Sequence, residues 1–149
     1  MTLTTEEYIQ INQALFSLSH AYEARMEKEM RSDPGRLSMY ECALMMVIGQ
    51  SAPIQPSALS HMMNVTPGMI SIYVRKLKRK GLVKMERDPQ DNRRTWLTLT
   101  EPGKMAYQMI VEGTASYTRD FFAALDEDEL RTLHSLLLKS SHSLGFDWQ

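Results

Sequence analysis

The sequence has little of what secreted, membrane-spanning or disulfide-stabilised proteins contain. Among its 149 residues there is one cysteine, Cys42, which permits no disulfide within the chain and fits a reducing compartment. The longest apolar run, from Cys42 to Ile48, is too short to span a bilayer. The first residues lack the basic and apolar segments of a secretory signal. We therefore expect a cytoplasmic protein without a membrane partner.

Residues arranged for catalysis or metal binding are also missing. The four histidines show no metal-ligand spacing with acidic residues or with the cysteine. No phosphate-cradling glycine loop and no nucleophile–base pair occurs at an informative spacing. Cys42 is interpreted as a packed structural thiol, with a redox switch as the alternative. The sequence thus predicts no enzyme activity, no cofactor and no metal.

Positive charge is concentrated in one segment. Residues 75–94 hold nine Lys or Arg against three acidic residues, a net charge of +6, whereas the remaining eight basic and fifteen acidic residues give −7. The formal net charge of −1 therefore hides a basic pole, where phosphate groups are expected to bind. The alternative is an ordinary solvated surface of mixed charge.

A short basic helix is predicted at the start of this segment. Thr66 is an N-cap type residue, and Pro67 suits the first helical position. Apolar residues at 70, 73, 74 and 77 recur at helical spacing and predict a buried stripe. Gly81 suits the left-handed residue that follows a helix. The residues predicted on the other face are Gly68, Met69, Ser71, Ile72, Arg75, Lys76 and Arg79.

Two strands and a charged turn follow this helix. Val83 and Met85 alternate with polar residues, as do Leu97 and Leu99, which predicts two half-buried strands. Residues 88–92 between them are turn formers, with arginines just beyond. A basic helix beside an arginine-tipped hairpin fits duplex DNA, with the helix in a major groove and the tip in a minor groove. This arrangement predicts a winged helix-turn-helix.

Amphipathic helices flank the winged module. A first helix is predicted over residues 5–31, with Thr4 and Glu7 spaced for a capping box. At 1.5 Å per residue it is about 40 Å long, more than a small core needs. A second subunit is therefore expected to cover its apolar stripe, the alternative being a helix that lies along its own domain. The residues assigned to dimerisation are Tyr8, Ile11, Leu15, Leu18, Leu133 and Leu137.

The predicted fold class is mainly α with a small β-hairpin wing. One domain is expected over residues 1–149, with a winged-helix lobe at about 37–100. A helical dimerisation lobe is expected from about 5–31 and 101–145. Shorter helices are predicted from Ser38 to about Gln50 and from Pro56 to about Met63, and residues 52–54 between them are expected to pair with the hairpin.

Several motifs together resemble the MarR (multiple antibiotic resistance regulator) family. They are Leu37-Ser38-x-x-Glu41, Ser57-x-Leu59-Ser60, Val65-Thr66-Pro67, Leu77-x-x-x-Gly81-Leu82-Val83, Asp88-Pro89-x-Asp91-x-Arg93 and Leu99-Thr100-x-x-Gly103. The resemblance implies a homodimeric transcriptional regulator that binds pseudo-palindromic promoter DNA, often a repressor released by a small molecule or by oxidation. A small apolar or aromatic effector is a further expected partner, with its binding residues unassigned.

Within the predicted basic helix, some residues are assigned to base edges. Thr66 to Ser71 lie at the start of the helix, where free N–H groups favour a phosphate. Ser71 and Arg75 are the candidates for reading base edges. Ile72 stands where the resemblance leads us to expect a polar or basic residue, so Met69 and Ile72 are expected to press on thymine methyl groups.

The remaining assignments concern phosphates and the wing. Arg93 matches the wing position of the family and is expected in a minor groove. Asp91 is assigned either to brace the Arg93 guanidinium or only to shape the turn. Trp96 is expected to point outward, as surface packing or as a dimer contact. Residues assigned to phosphate are Lys76, Arg79, Arg94 and Ser57, the last with an N-cap role as the alternative.

A competing interpretation is a winged-helix module that binds a protein and never contacts DNA. It would use the wing and the apolar residues of the helix. The +6 segment and Arg93 at the wing tip argue against it. Salt dependence distinguishes the two functions, because phosphate contacts release counterions and protein contacts through apolar side chains do not.

Overall fold

The computed structural model describes residues 2–30 and 36–145. These residues form six helices and one two-stranded antiparallel sheet, joined by loops. In chain order they are α1 (Thr5–Met30), α2 (Met39–Ser51), α3 (Pro56–Met62), α4 (Pro67–Arg79), β1 (Val83–Arg87), β2 (Thr95–Leu99), α5 (Glu101–Phe121) and α6 (Glu127–Ser143). The predicted fold class is confirmed. Arg31, the predicted end of the first helix, lies outside the described residues.

The chain divides into two compact units, Met1–Met39 and Tyr40–Gln149. The first contains α1, which begins with the predicted capping box: the Thr4 N–H donates to Glu7 Oε2 over 2.7 Å, and the Glu7 N–H donates to Thr4 Oγ1 over 3.2 Å. The bond from the Thr4 backbone, aided by the Thr4 hydroxyl, holds the pKa of Glu7 below its usual range. The grouping of residues 5–31 with 101–145 in one lobe stays a prediction.

In the second unit, the elements from α2 to α5 all contribute buried apolar side chains to the hydrophobic core. Ile54, between α2 and α3, pairs with the hairpin as predicted: its N–H donates to Leu97 O over 3.1 Å, and the Leu97 N–H donates to Ile54 O over 2.8 Å. This pairing ties the residues before α3 to β2. The side chains with less than 2% of their surface exposed are Leu44, Met45, Ile48, Leu59, Ile70, Leu77, Leu97 and Val47.

Helix α4 begins and ends where the sequence predicts. The Thr66 hydroxyl accepts the Met69 N–H over 3.3 Å, and Pro67 opens the helix. Three residues of the predicted stripe are buried: Ile70, Val74 and Leu77. The fourth, Tyr73, is half-buried. Gly81, two residues after the last helical residue, has φ +71°, the left-handed conformation that glycine adopts without strain. These local signals fix the direction in which the chain enters β1.

The hairpin pairs Val83 with Leu99 and Met85 with Leu97. Val83 and Leu97 are buried as predicted. Met85 lies on the same face of the strand as Val83, as the alternation predicts, but 38% of its surface is exposed. Met85 lines a cavity of about 260 Å³ between α3, α4 and β1, together with Ile70 and Val74.

The hairpin leads directly into α5 through a close backbone contact. Thr100 is the N-cap of α5: its hydroxyl accepts the Gly103 N–H over 3.0 Å and donates to the Gly81 carbonyl. The Thr100 N–H donates to Leu82 O over 3.1 Å. A Cβ at Gly103 would overlap the Leu82 carbonyl, so only glycine fits there. The junction therefore joins the end of α4, the start of β1 and the start of α5.

Candidate nucleic-acid interface

The basic residues of segment 75–94 are all on the surface. The nine side chains are exposed, five on α4 and its C-cap and four on the hairpin. Three of them form ion pairs: Lys80 with Glu41 at 3.2 Å, Lys84 with Glu86 at 3.0 Å and Arg94 with Asp91 at 3.5 Å. Within the described part of the chain, the other six have no carboxylate partner. These six, the unpaired basic set, are Arg75, Lys76, Lys78, Arg79, Arg87 and Arg93.

The unpaired basic set carries uncompensated positive charge on an otherwise acidic molecule. The electrostatic screening length is roughly 8 Å at physiological salt. The positive potentials of members of the set within that distance of one another therefore add. Lys76 also lies 5.4 Å from the centre of the Tyr73 ring, and Tyr73 stacks on Tyr40 at 5.5 Å between ring centres. This contact anchors one member of the set to the body of the fold.

The first two turns of α4 present few groups to a partner. Gly68 is exposed with no crowding near it. The Ser71 hydroxyl donates to Pro67 O over 2.9 Å, so its proton is engaged within the helix and its oxygen remains as an acceptor. Met69 is half-buried, whereas Ile72 keeps 52% of its surface exposed. Arg75 follows one turn later and is exposed.

At the wing tip, Asp91 bonds to Arg94 and to the backbone rather than to the Arg93 guanidinium. Its carboxylate accepts the Arg93 N–H over 3.1 Å and pairs with Arg94 Nε at 3.5 Å. The Arg94 N–H donates to Asp91 O over 2.8 Å. The predicted brace of the Arg93 guanidinium is therefore wrong, and the alternative role in shaping the turn is the one observed. Arg93 is left exposed at the tip.

Trp96 supports the wing in a way that the sequence analysis missed. Its indole Nε1 donates to Asp88 Oδ2 over 2.8 Å, and the side chain is half-buried rather than simply outward. Asp88 Oδ1 accepts the backbone N–H groups of Gln90 and Asp91 over 2.8 and 3.2 Å. The Trp96 bond, then the Gln90 N–H, hold the pKa of Asp88 below its usual range. Asp88 is thus the centre of the turn.

A second missed contact fixes the C-terminal end of α4. Glu41 of α2 is buried, with 4% of its surface exposed, and pairs with Lys80 at the C-cap of α4. A buried carboxylate needs such a partner, because an unpaired charge in the protein interior is strongly unfavourable. The two residues lie 39 positions apart, so no local pattern in the sequence signals the pair.

Ser57 lies in the first turn of α3, and its side chain is exposed. The alternative that Ser57 caps this helix is wrong, since Gln55 occupies the N-cap position and Pro56 opens the helix. Its role as a phosphate contact stays a prediction. The nearby Ser60 hydroxyl donates to Val65 O over 2.6 Å and holds the turn between α3 and α4.

The residues assigned to dimerisation are largely uncovered. On α1, the exposed fractions are 61% for Tyr8, 54% for Ile11, 58% for Leu15 and 41% for Leu18. On α6, Leu137 is 52% exposed and Leu133 is half-buried. Large exposed apolar side chains that cluster on a helix are typical of surfaces that bind another molecule.

Two features of the described residues concern metal binding and membrane crossing. No group of three or more His, Cys, Asp or Glu side chains within residues 2–30 and 36–145 is placed to hold a metal ion. In the same residues, no helix combines the length and the apolar character needed to cross a membrane.

Part of the chain is similar to known transcriptional regulators. Residues 37–95 match the model of the MarR family. Over 94 residues, 63% of this chain, the sequence is 34% identical to a protein of Thauera aromatica named "Putative transcriptional regulatory protein for hcr operon". The matched segment spans 57% of that protein's length.

Solved structures show the same fold. FabT of Streptococcus pneumoniae, whose crystal structure is a complex with DNA, superposes with a TM-score of 0.78 at 25% identity over 92% of this chain and 96% of that one. AbsC of Streptomyces coelicolor, a MarR family transcriptional regulator, gives 0.79 at 20% identity and covers 97% of each chain. Residues 37–95, which contain the winged-helix module, therefore match the MarR family, and these solved structures match the fold of nearly the whole chain.

Proposed function

We propose that the protein is a homodimeric, sequence-specific DNA-binding regulator that acts as a repressor in the cytoplasm, is released by a small-molecule or redox signal, and performs no catalytic step. The observation that carries this proposal is the unpaired basic set on α4 and the wing. Exposed cations without carboxylate partners are the groups that replace counterions on DNA phosphates. The FabT structure, which contains DNA, shares this fold and supports the same partner.

The two parts of the interface would take different grooves. Helix α4 has the width that a major groove admits, and its N-terminal residues would face the base edges. Arg93 at the wing tip would enter a minor groove, where narrow A/T tracts concentrate negative potential. Lys76, Arg79 and Arg94 would contact phosphates, which add affinity without sequence information.

The dimer would set the spacing of the two half-sites. Two α4 helices about 34 Å apart would enter successive major grooves of a two-fold symmetric operator. The exposed apolar stripe of α1 supports a subunit interface. Sedimentation of the wild type and of Leu15→Glu would test it. We expect a dimer for the wild type, a monomer for Leu15→Glu, and a dimer for the control Gln13→Glu, which adds the same charge on the polar side of the helix.

The experiment that tests DNA binding is a salt titration. Fluorescence anisotropy would measure binding of the full-length protein to a random-sequence duplex library and to the duplexes enriched from it, from 50 to 300 mM salt. A dimer that neutralises about 6–10 phosphates gives a log–log slope of about −5 to −9. A slope near zero, or no binding to any duplex, would contradict the proposal and favour the protein-interaction module.

A further inference from the structure

Ile72 is an apolar side chain in the middle of the proposed DNA-facing surface. It keeps 52% of its surface exposed on α4. Arg75, Lys76 and Arg79 follow it at i+3, i+4 and i+7, which places them on the same face of the helix. About half of this apolar side chain is therefore in contact with water among unpaired cations, which is unfavourable. Its position calls for an apolar group on the molecule that the cations attract.

Among the residues in the first two turns of α4, Ile72 has the side chain best placed to contact base edges. Gly68 has no side chain, and Met69 is half-buried. The Ser71 hydroxyl already donates to the Pro67 carbonyl, so it offers only an acceptor. The N-terminal residues of a recognition helix are the ones that reach base edges. Ile72 is therefore the largest exposed side chain in the part of α4 that would meet the bases.

The major groove offers one common apolar substituent, the 5-methyl group of thymine. Phosphates, sugars and the remaining base edges are charged or polar, and contact with them would desolvate polar groups against a hydrocarbon side chain. We propose that Ile72, with Met69 beside it, reads thymine by contact with its 5-methyl group, and that Arg75 reads a neighbouring base. This inference rests on the proposed DNA-binding function and names the base chemistry that gives it specificity.

Deoxyuridine is the probe for this contact, because it pairs as thymine does but lacks the methyl group. Each thymine of an enriched duplex would be replaced in turn, and affinity for the full-length protein would be measured at fixed salt. Burial of one methyl group corresponds to about a fourfold change in affinity. We expect this loss at one or two thymines in each half-site for the wild type. For Ile72→Ala the loss at the same positions should fall below about twofold.

Two further variants distinguish recognition of the thymine methyl group from a general loss of DNA affinity. Lys76→Ala should bind thymine and deoxyuridine duplexes more weakly by the same factor, since a phosphate contact does not sense the base. Ile72→Val, which keeps part of the apolar surface, should keep part of the discrimination. Thermal unfolding would confirm that each variant folds, as expected for an exposed position.

The possible outcomes are distinct. If the wild type binds duplex DNA with the expected salt dependence but tolerates deoxyuridine at every position, methyl readout is refuted while the proposed function stands. Retention of the full thymine preference by Ile72→Ala would also refute it. If no duplex is bound at any salt concentration, the proposed function and this inference both fail.

Discussion

A single methyl group added at Gly103 tests how the wing is joined to α5. Gly103 is buried, and a Cβ there would overlap the main-chain carbonyl of Leu82. That carbonyl also accepts the Thr100 N–H over 3.1 Å. Moving it to make room for the methyl group would break the bond between the start of β1 and the start of α5. The substitution therefore acts on the geometry of the wing as well as on packing.

The size of the effect follows from three contributions. Overpacking of this kind costs about 1–3 kcal/mol, and the lost hydrogen bond costs about 1 kcal/mol more. The higher helix propensity of alanine offsets at most about 1 kcal/mol. We therefore expect Gly103→Ala to lower the free energy of unfolding by about 1–4 kcal/mol.

Gly113→Ala is the matched control, because it makes the same change in the same helix at an exposed residue with nothing within 4 Å of the added Cβ. There the helix propensity acts alone, and the free energy of unfolding should rise by about 0.5–1 kcal/mol. Urea denaturation would be followed at one protein concentration, since the stability of a dimer depends on it. Equal stability of Gly103→Ala and the wild type would refute the proposed role of this contact.

Three further predictions concern α4, the wing turn and the core. Thr66→Ala removes the N-cap bond to α4 and should lower the free energy of unfolding by about 1 kcal/mol in urea denaturation; an unchanged value would contradict the cap. Because the hydrogen bond from Trp96 lowers the pKa of Asp88, the stabilisation by this carboxylate is complete above its ordinary pKa of about 4 and is lost as the pH falls through the lower folded value. The urea midpoints of wild type and Asp88→Asn should therefore converge below about pH 4, and a constant difference would count against the bond. Leu97→Ala should cost about 2–5 kcal/mol in thermal or urea unfolding, because Leu97 is fully enclosed; a loss below about 1 kcal/mol would be inconsistent with that burial.

Helix boundaries could be predicted where the signal is carried by neighbouring residues. Thr66 and Pro67 mark the start of α4 because a cap and its first turn lie within three residues. Gly81 marks its end through a backbone conformation that glycine adopts easily. The hydrogen bond from the Ser71 hydroxyl to the Pro67 carbonyl is also local, because a serine within a helix commonly donates to the carbonyl four residues before it.

Contacts between distant residues could not be predicted in the same way. The Glu41–Lys80 pair joins two helices, and nothing at either position specifies the other. Alternation along β1 predicts which face Met85 occupies but not whether an element covers that face. At the wing tip, the spacing of Asp91 fits either arginine, and only the turn geometry selects Arg94 for the ion pair.

The most direct test of the central claim, that the unpaired cations of α4 and the wing meet DNA, compares Arg93→Ala with Arg119→Ala on an enriched duplex flanked by A/T tracts. Arg119 is an exposed arginine on α5, outside the proposed interface. At moderate salt, Arg93→Ala should bind about tenfold more weakly than the wild type. Arg119→Ala should bind as the wild type does. Equal affinity of wild type and Arg93→Ala would contradict the account.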